Sequence, residues 1–148
     1  GYTWTPGRKS HIDGPCSRFH IRRLKSGRLL MINHYQFDQR IDLDDIMRQG
    51  NVKSWKGRSH LTALLSEDDG KTWPYTLLLD ERNEVSYPDA KEAADGYIYV
   101  TYDWERVTQR EILMARFTEE DILKGQLSSP NGKLRILVNK ATGQPDIH

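Results

Sequence analysis

The chain has 148 residues, with 22 lysines and arginines against 21 aspartates and glutamates and a formal net charge of +1, so it suits one domain and carries no basic block able to follow a phosphate backbone. That balance argues against nucleic acid, and no apolar run reaches the roughly 20 residues of a membrane span. The single Cys16 excludes an internal disulfide framework, has no partner at zinc-ligand spacing and reads as a small packed residue, so neither a metal nor a cofactor is expected.

The chain starts Gly1-Tyr2-Thr3-Trp4, a copy of the second half of Ser66-Glu67-Asp68-Asp69-Gly70-Lys71-Thr72-Trp73. Gly1 to Gly70, Trp4 to Trp73 and Gly27 to Gly96 share one spacing of 69 residues, the mark of an internal repeat. Residues 3–7 are therefore expected to be the closing strand of a preceding unit, whose end occupies 1–14 and whose first strands lie upstream.

A first full unit is expected over 15–82, with strands at 18–24, 28–34, 60–65 and 75–80. The stretch from Arg58 to Ser66 parallels that from Arg110 to Thr118 at a spacing of 52. By that spacing the first unit holds about 17 more residues between its second and third strands, a length a surface loop tolerates. The insertion falls near 37–57, where 42–50 reads as a short helix with Asp42 as cap and Gly50 as stop. The second unit, 83–148, is expected to place strands at 86–93, 97–103, 111–117 and 134–138, with a capped helical turn over 118–125 ending at Gly125. The fold class is all-β. Four-stranded units repeated at this length are the pattern of β-propeller blades, and this chain holds about two of the four to eight that close a ring.

Ser66-x-Asp68-x-Gly70-x-Thr72-Trp73 is a full Asp box, and with it the chain resembles the sialidase (neuraminidase) superfamily with its Asp-box (BNR) repeats. The box itself is structural: Ser and Asp accept from the N–H groups of a tight turn, Gly takes the positive φ and Trp packs the turn. Val85-Ser86-Tyr87-Pro88-Asp89-Ala90, the Gly96 turn and Ile98 to Asp103 are similar to the sialidase segment in which a nucleophilic Tyr starts a strand and the next strand ends in Tyr plus a carboxylate. Ser86-Tyr87-Pro88 and Tyr102-Asp103-Trp104-Glu105-Arg106 are also similar to related Asp-box proteins with S-Y-P and Y-x-W-x-R motifs. The resemblance implies a C-terminal piece of a six-bladed sialidase-like propeller.

The 69-residue spacing pairs Arg18 with Tyr87 and His34 with Asp103, and the 52-residue spacing pairs Arg58 with Arg110. Matched positions on successive blades converge on the propeller axis, so Arg18, Tyr87, His34 and Asp103 are expected to line one central pocket, with Arg58 and Arg110 as another equivalent pair. Guanidinium groups grip a carboxylate in bidentate fashion, and a neutral phenol can attack an anomeric carbon beside that carboxylate without repulsion. The resemblance then implies Tyr87 as nucleophile, Asp103 as the local base, and Arg18, Arg58 and Arg110, with His34, as the substrate-binding set of an exo-acting, retaining glycosidase for an acidic glycan. Pro88 and Asp103 stand where sialidases commonly carry Ser and Glu, which widens the expected sugar to a uronic acid or a neutral residue. The alternatives are a strand-edge Tyr87, surface-paired arginines and a packed His34, in a non-catalytic module that binds carbohydrate or protein. The expected partners are the glycan and either the remaining blades of the parent or a second copy. The expected location is secreted or periplasmic.

Overall fold

The computed structural model describes residues 1–8, 10–35 and 57–143, so the helix expected over 42–50 lies outside the described residues. Eight strands form two four-stranded antiparallel sheets. The first contains β1 (His20–Arg23), β2 (Leu29–His34), β3 (Leu61–Ser66) and β4 (Tyr75–Asp80) in sequential order. The second contains β5 (Val85–Glu92), β6 (Tyr97–Trp104), β7 (Glu111–Thr118) and β8 (Lys133–Lys140) in the same order, and the short helix α1 (Glu119–Lys124) joins its last two strands. These are two propeller-type blades. Among the described residues no helix is long and apolar enough to cross a membrane.

The hydrogen bonds carry the repeat. Gly27 N donates to the Leu24 carbonyl at 3.0 Å and Leu24 N to the Arg28 carbonyl at 2.9 Å; at 69 residues further on, Gly96 N donates to Ala93 at 3.3 Å and Ala93 N to Tyr97 at 2.8 Å. Even the side-chain brace recurs, because Ser26 Oγ accepts from Arg28 N and Asp95 Oδ1 from Tyr97 N. Both loops are three-residue hairpins closed by a left-handed glycine, the conformation that lets such a loop match strand twist. Register follows: His20 pairs with Ile32 and Asp89 with Thr101, Ile21 with Met31 and Ala90 with Val100.

The third strands correct the sequence reading. Leu30 pairs with Leu65, but its counterpart Tyr99 pairs with Arg116, so β3 and β7 correspond at 51 residues rather than 52. A slip of one residue exchanges the two faces of a strand. All six residues of β3 are buried, so its hydrophobic pattern matches β7 in either register. Leu30, Ile32, Ala63, Leu65 and Leu77 bury one face of the first sheet against Ile98, Val100, Leu113, Ala115 and Phe117 on the opposite-facing surface of the second. The sheets therefore stack head to tail, and each large apolar side chain buried in the seam contributes about 1.5–3 kcal/mol.

Along the seam β1 reaches across to β5. Arg18 Nη2 donates to the Pro88 carbonyl at 3.2 Å, Arg22 Nη1 to the Ala90 carbonyl at 2.8 Å and Lys25 Nζ to the Ala93 carbonyl at 2.6 Å. At the outer side, the fully buried Asp80 accepts from Tyr102 Oη at 3.0 Å and from Arg82 at 2.6 Å. Burial pushes the Asp80 carboxyl up, but the Arg82 contacts outweigh it and hold the group below the ordinary carboxylate range.

The Asp box performs the structural role expected of it. Ser66 Oγ accepts from Gly70 N at 2.8 Å, and Asp68 accepts from Thr72 N at 2.8 Å and Thr72 Oγ1 at 2.6 Å. Those hydrogen bonds, with one from Ser66, hold the Asp68 carboxyl down at about 2. The capped turn near 118–125 is also present: Thr118 caps α1 in a reciprocal box with Asp121, and Gly125 closes it in the left-handed conformation.

Two expectations fail. Residues 3–7 form no strand, and Tyr2 and Trp4 stand in solvent, because none of the eight strands runs beside them to supply the pairing a closing strand needs. Cys16 is exposed rather than packed, since it lies in the loop leading to β1 and offers its carbonyl, not its side chain, to Arg58.

Candidate functional site

The chain ends of β2, β4 and β6 and the starts of β3, β5 and β7 gather at one end of both sheets, opposite the Asp box. There β5 is irregular. Ser86 pairs with Asp103 and Asp89 with Thr101, so that Tyr87 and Pro88 together oppose Tyr102 alone. This is a β-bulge, a device that re-aims a side chain and increases local twist. Tyr87 sits in it at φ 54° and is 40% exposed. Left-handed backbone costs a residue with a Cβ about 1–2 kcal/mol, and it persists where the surroundings over-determine it.

Those surroundings are polar. The Arg106 guanidinium lies 4.2 Å from the centroid of the Tyr87 ring and that of Arg58 5.4 Å from it. Arg106 Nε and Nη2 both donate to Asp103 Oδ2, at 2.9 and 2.5 Å, and Ser86 Oγ donates to Asp103 Oδ1 at 2.6 Å. Arg58 Nη2 donates to the Cys16 carbonyl at 2.6 Å. Arg58, Ser86 and Arg106, with Glu84 and Val107, line an open cleft beside the tyrosine. The cleft thus presents two guanidinium groups, a hydroxyl and a carboxylate to whatever enters it.

Of the six residues singled out from sequence, the structure brings Tyr87, Asp103 and Arg58 together. Arg18 adjoins them through the Pro88 carbonyl and lies 3.9 Å from Asp89. His34 does not line the cleft. It is 1% exposed in the seam between sheets, and its Nδ1 donates to the Ser59 carbonyl at 2.9 Å, which fixes the neutral tautomer with the proton on that nitrogen. Burial, with Arg58 adding to it, keeps His34 below its ordinary value. Arg110 turns away, donating to the Gly143 carbonyl beyond β8.

Asp103 has a partner on each oxygen, Ser86 on one and Arg106 on the other. Sequence reasoning passed over Arg106 and Glu84. Arg106 closes the Y-x-W-x-R motif, and the rest of that motif is wired into the same end: Tyr102 binds Asp80, and Trp104 Nε1 donates to the Asn83 carbonyl while Arg82 stacks at 3.8 Å on its ring. The signal for Arg106 was therefore present in the motif itself. Glu84 gives no sequence signal beyond its place before β5. Among the described residues no cluster of His, Cys, Asp and Glu is arranged to hold a metal ion.

Residues 1–100 match the family described as BNR repeat-like domain, a span that takes in the Asp box and the S-Y-P segment. No curated protein and no solved structure gives a significant match. With two stacked four-stranded blades, a formed Asp box and a family match over most of its length, the chain belongs to the BNR repeat-like domain family of the sialidase-type superfamily.

Proposed function

We propose that this blade pair is the part of a sialidase-like glycoside hydrolase that recognises an acidic sugar and attacks it with Tyr87. The observation that carries the reading is a bulged, half-exposed phenol covered by two guanidinium groups at the mouth of one cleft. Arg58 suits a sugar carboxylate, since planar guanidinium binds carboxylate in matched pairs of hydrogen bonds, while Arg106 spends its Nε and Nη2 on Asp103. A phenol is the nucleophile used where a carboxylate nucleophile would be repelled by an anionic substrate.

In the first step the Tyr87 oxygen forms a bond to the anomeric carbon while the bond to the aglycone oxygen breaks. The phenol proton passes to a carboxylate and the departing aglycone takes a proton from an acid. Water then displaces the tyrosine oxygen, giving its proton to the conjugate base of that acid while the tyrosine oxygen recovers its proton from the carboxylate, and the sugar is released with its configuration retained. With Asp103 held by Ser86 and Arg106, we assign the phenol proton to Glu84, a carboxylate that lines the cleft. The acid belongs, in this reading, to a neighbouring blade of the parent protein, and the substrate is an extracellular glycan met in a secreted or periplasmic setting.

One observation favours a second reading, a non-catalytic carbohydrate- or protein-binding module: the carboxylate across the sheet from the bulge, Asp103, is held by Ser86 and Arg106. A panel of fluorogenic sialosides, uronides and neutral glycosides, with Tyr87→Phe as control, separates the two. Hydrolysis lost in the control supports the enzyme. Calorimetric binding of a free acidic sugar without turnover, unchanged by Tyr87→Phe, supports the binding module.

A further inference from the structure

We infer that Arg106 is the positioning residue of Tyr87, and that Asp103 serves as its anchor. The contacts form a closed circuit. Ser86, the residue before Tyr87, holds one oxygen of Asp103 at 2.6 Å; the other oxygen holds Arg106 at 2.5 and 2.9 Å; and Arg106 returns to the ring of Tyr87 at 4.2 Å. Ser86 and Asp103 are also the last regular pair before the bulge. The circuit therefore starts from the ladder rung next to the strained residue and ends on that residue's side chain.

Each member needs its own chemistry. A carboxylate can accept from a hydroxyl and a guanidinium at once. Guanidinium is planar, so it can lie against a ring while its edge chelates Asp103, whereas an ammonium offers a point charge and no flat face. Arg58 also faces the ring, but from 5.4 Å, and its Nη2 is tied to the Cys16 carbonyl in the preceding loop. Arg106 connects the phenol to β6, the neighbour of the strand that carries it, through Asp103, whereas Arg58 joins β5 through its backbone carbonyl, which accepts from Val85 N at 3.2 Å. On the opposite side, Pro88 has no N–H to pair and its carbonyl accepts from Arg18 at 3.2 Å. Tyr87 is thus held by its ring on one side and by its neighbour's carbonyl on the other.

This inference deepens the hydrolase reading, and only its kinetic arm rests on that reading. The first arm is nitrogen NMR of the arginine Nε–H groups on the full chain. Arg106 should give a slowly exchanging signal displaced by the tyrosine ring current. That signal should move toward the free-arginine position with fast exchange in Asp103→Asn, lose only its ring-current displacement in Tyr87→Leu, shift partway in Ser86→Ala, and keep that displacement in Tyr87→Phe. A wild-type Arg106 signal at the free-arginine position, or one unmoved by Asp103→Asn and Tyr87→Leu, overturns the inference. The gentle Ser86→Ala variant keeps the test decisive if Asp103→Asn disturbs the sheet.

The second arm uses the glycoside best hydrolysed. Arg106→Lys should lower kcat about a hundredfold with KM within about twofold, the loss expected when a reacting group is misplaced by about 1 Å. A rise in KM with kcat unchanged would make Arg106 a substrate-binding residue and overturn the positioning role. If no glycoside is hydrolysed, the hydrolase reading fails while the NMR arm still decides the inference.

Discussion

At the Asp-box end of the two sheets the chain reverses on glycine: Gly27, Gly70, Gly96 and Gly125 take φ between 67° and 92°. Asp69 is the exception there, at φ 59°, and Asp is one of the few residue types that tolerate the conformation. At the opposite end the same left-handed region is occupied by His60, Glu84, Tyr87, Glu105 and Arg110, and Gly57 is the one glycine among the described residues that shares it there. Arg135, within β8, belongs to neither end. A glycine adopts this conformation without a Cβ clash, whereas each of the five at the opposite end carries strain. Selection for stability alone would favour glycine at both ends. The end that keeps its side chains despite the strain is the end where Tyr87, Arg58, Arg106 and Glu84 meet, a coincidence that supports the proposed site independently of any motif.

The largest expected difference between the ends is in activity. Tyr87→Phe should abolish hydrolysis, by on the order of 10⁴-fold or more if the phenol is the nucleophile. Its thermal midpoint should stay within a few degrees of wild type, because the ring keeps its stacking on Arg58 and Arg106 and loses only the hydroxyl's contact with Arg106. A stable, fully active Tyr87→Phe would remove the functional meaning of the strained end. The glycine end should behave in the converse way. Asp121 there is fully buried and accepts from Thr118 N, Ser128 N and Ser129 N at 2.7–2.8 Å. Asp121→Ala removes a buried carboxylate that three part-buried backbone donors share, and should cost about 3 kcal/mol in a denaturant titration, with the ring contacts of Tyr87 unchanged.

Sequence showed the glycine end well and the strained end poorly, for a physical reason. Glycine, Asp and Ser in a tight turn announce their conformation by residue type, so the 69-residue repeat and both hairpins were legible, and each of the eight strands starts within two residues of its expected position. Left-handed Glu84, Tyr87 or Glu105 is set by surrounding contacts and leaves no mark in composition. The bulge that aims Tyr87 depends on how β5 pairs with β6, which residue type does not reveal. The register of β3 was illegible because a strand buried on both faces lacks the alternation that fixes register. Arg110 failed as a site residue for the same kind of reason: the residue type was suitable, but its direction depends on Gly143, far along the chain.

Backbone strain itself can be exchanged between the ends. Gly96 has φ 83° and no atom within 4 Å of where a Cβ would stand, so Gly96→Ala tests conformation without a clash. It should destabilise by about 1–2 kcal/mol. Glu105→Gly, at φ 43°, should do the reverse and range from neutral to about 1 kcal/mol stabilising, since the relief of strain is partly offset by the greater freedom of glycine in the unfolded chain. Equal destabilisation by both changes would mean that the strained end is not strained.

The smallest expected effect is a separation of the two ends by acid. His20 and His34 lie at the strained end and are both held below the ordinary histidine value of 6.5. Burial is the main cause in each. For His20 the neighbouring Asp89 opposes it while Arg22 and Arg18 reinforce it; for His34 the Ser59 carbonyl opposes it and Arg58 reinforces it. A histidine with a lowered folded value takes up its proton first in the unfolded chain, so stability should begin to fall as the pH drops below about 6.5. Asp68 behaves in the opposite sense: its carboxyl is held at about 2 against an ordinary 3.8, so its contribution is fully present above 3.8 and is lost as the pH falls toward 2. Amide hydrogen exchange, corrected for its intrinsic pH dependence, should therefore show protection weakening at Tyr35 and Val85, whose N–H groups bind the His60 and Arg58 carbonyls, between pH 7 and about 5, while Gly70 and Thr72 hold until below about pH 4. Loss of protection at both ends in one step would show that the blades open as a single unit, and the contrast between the ends would then be one of conformation and chemistry but not of local stability.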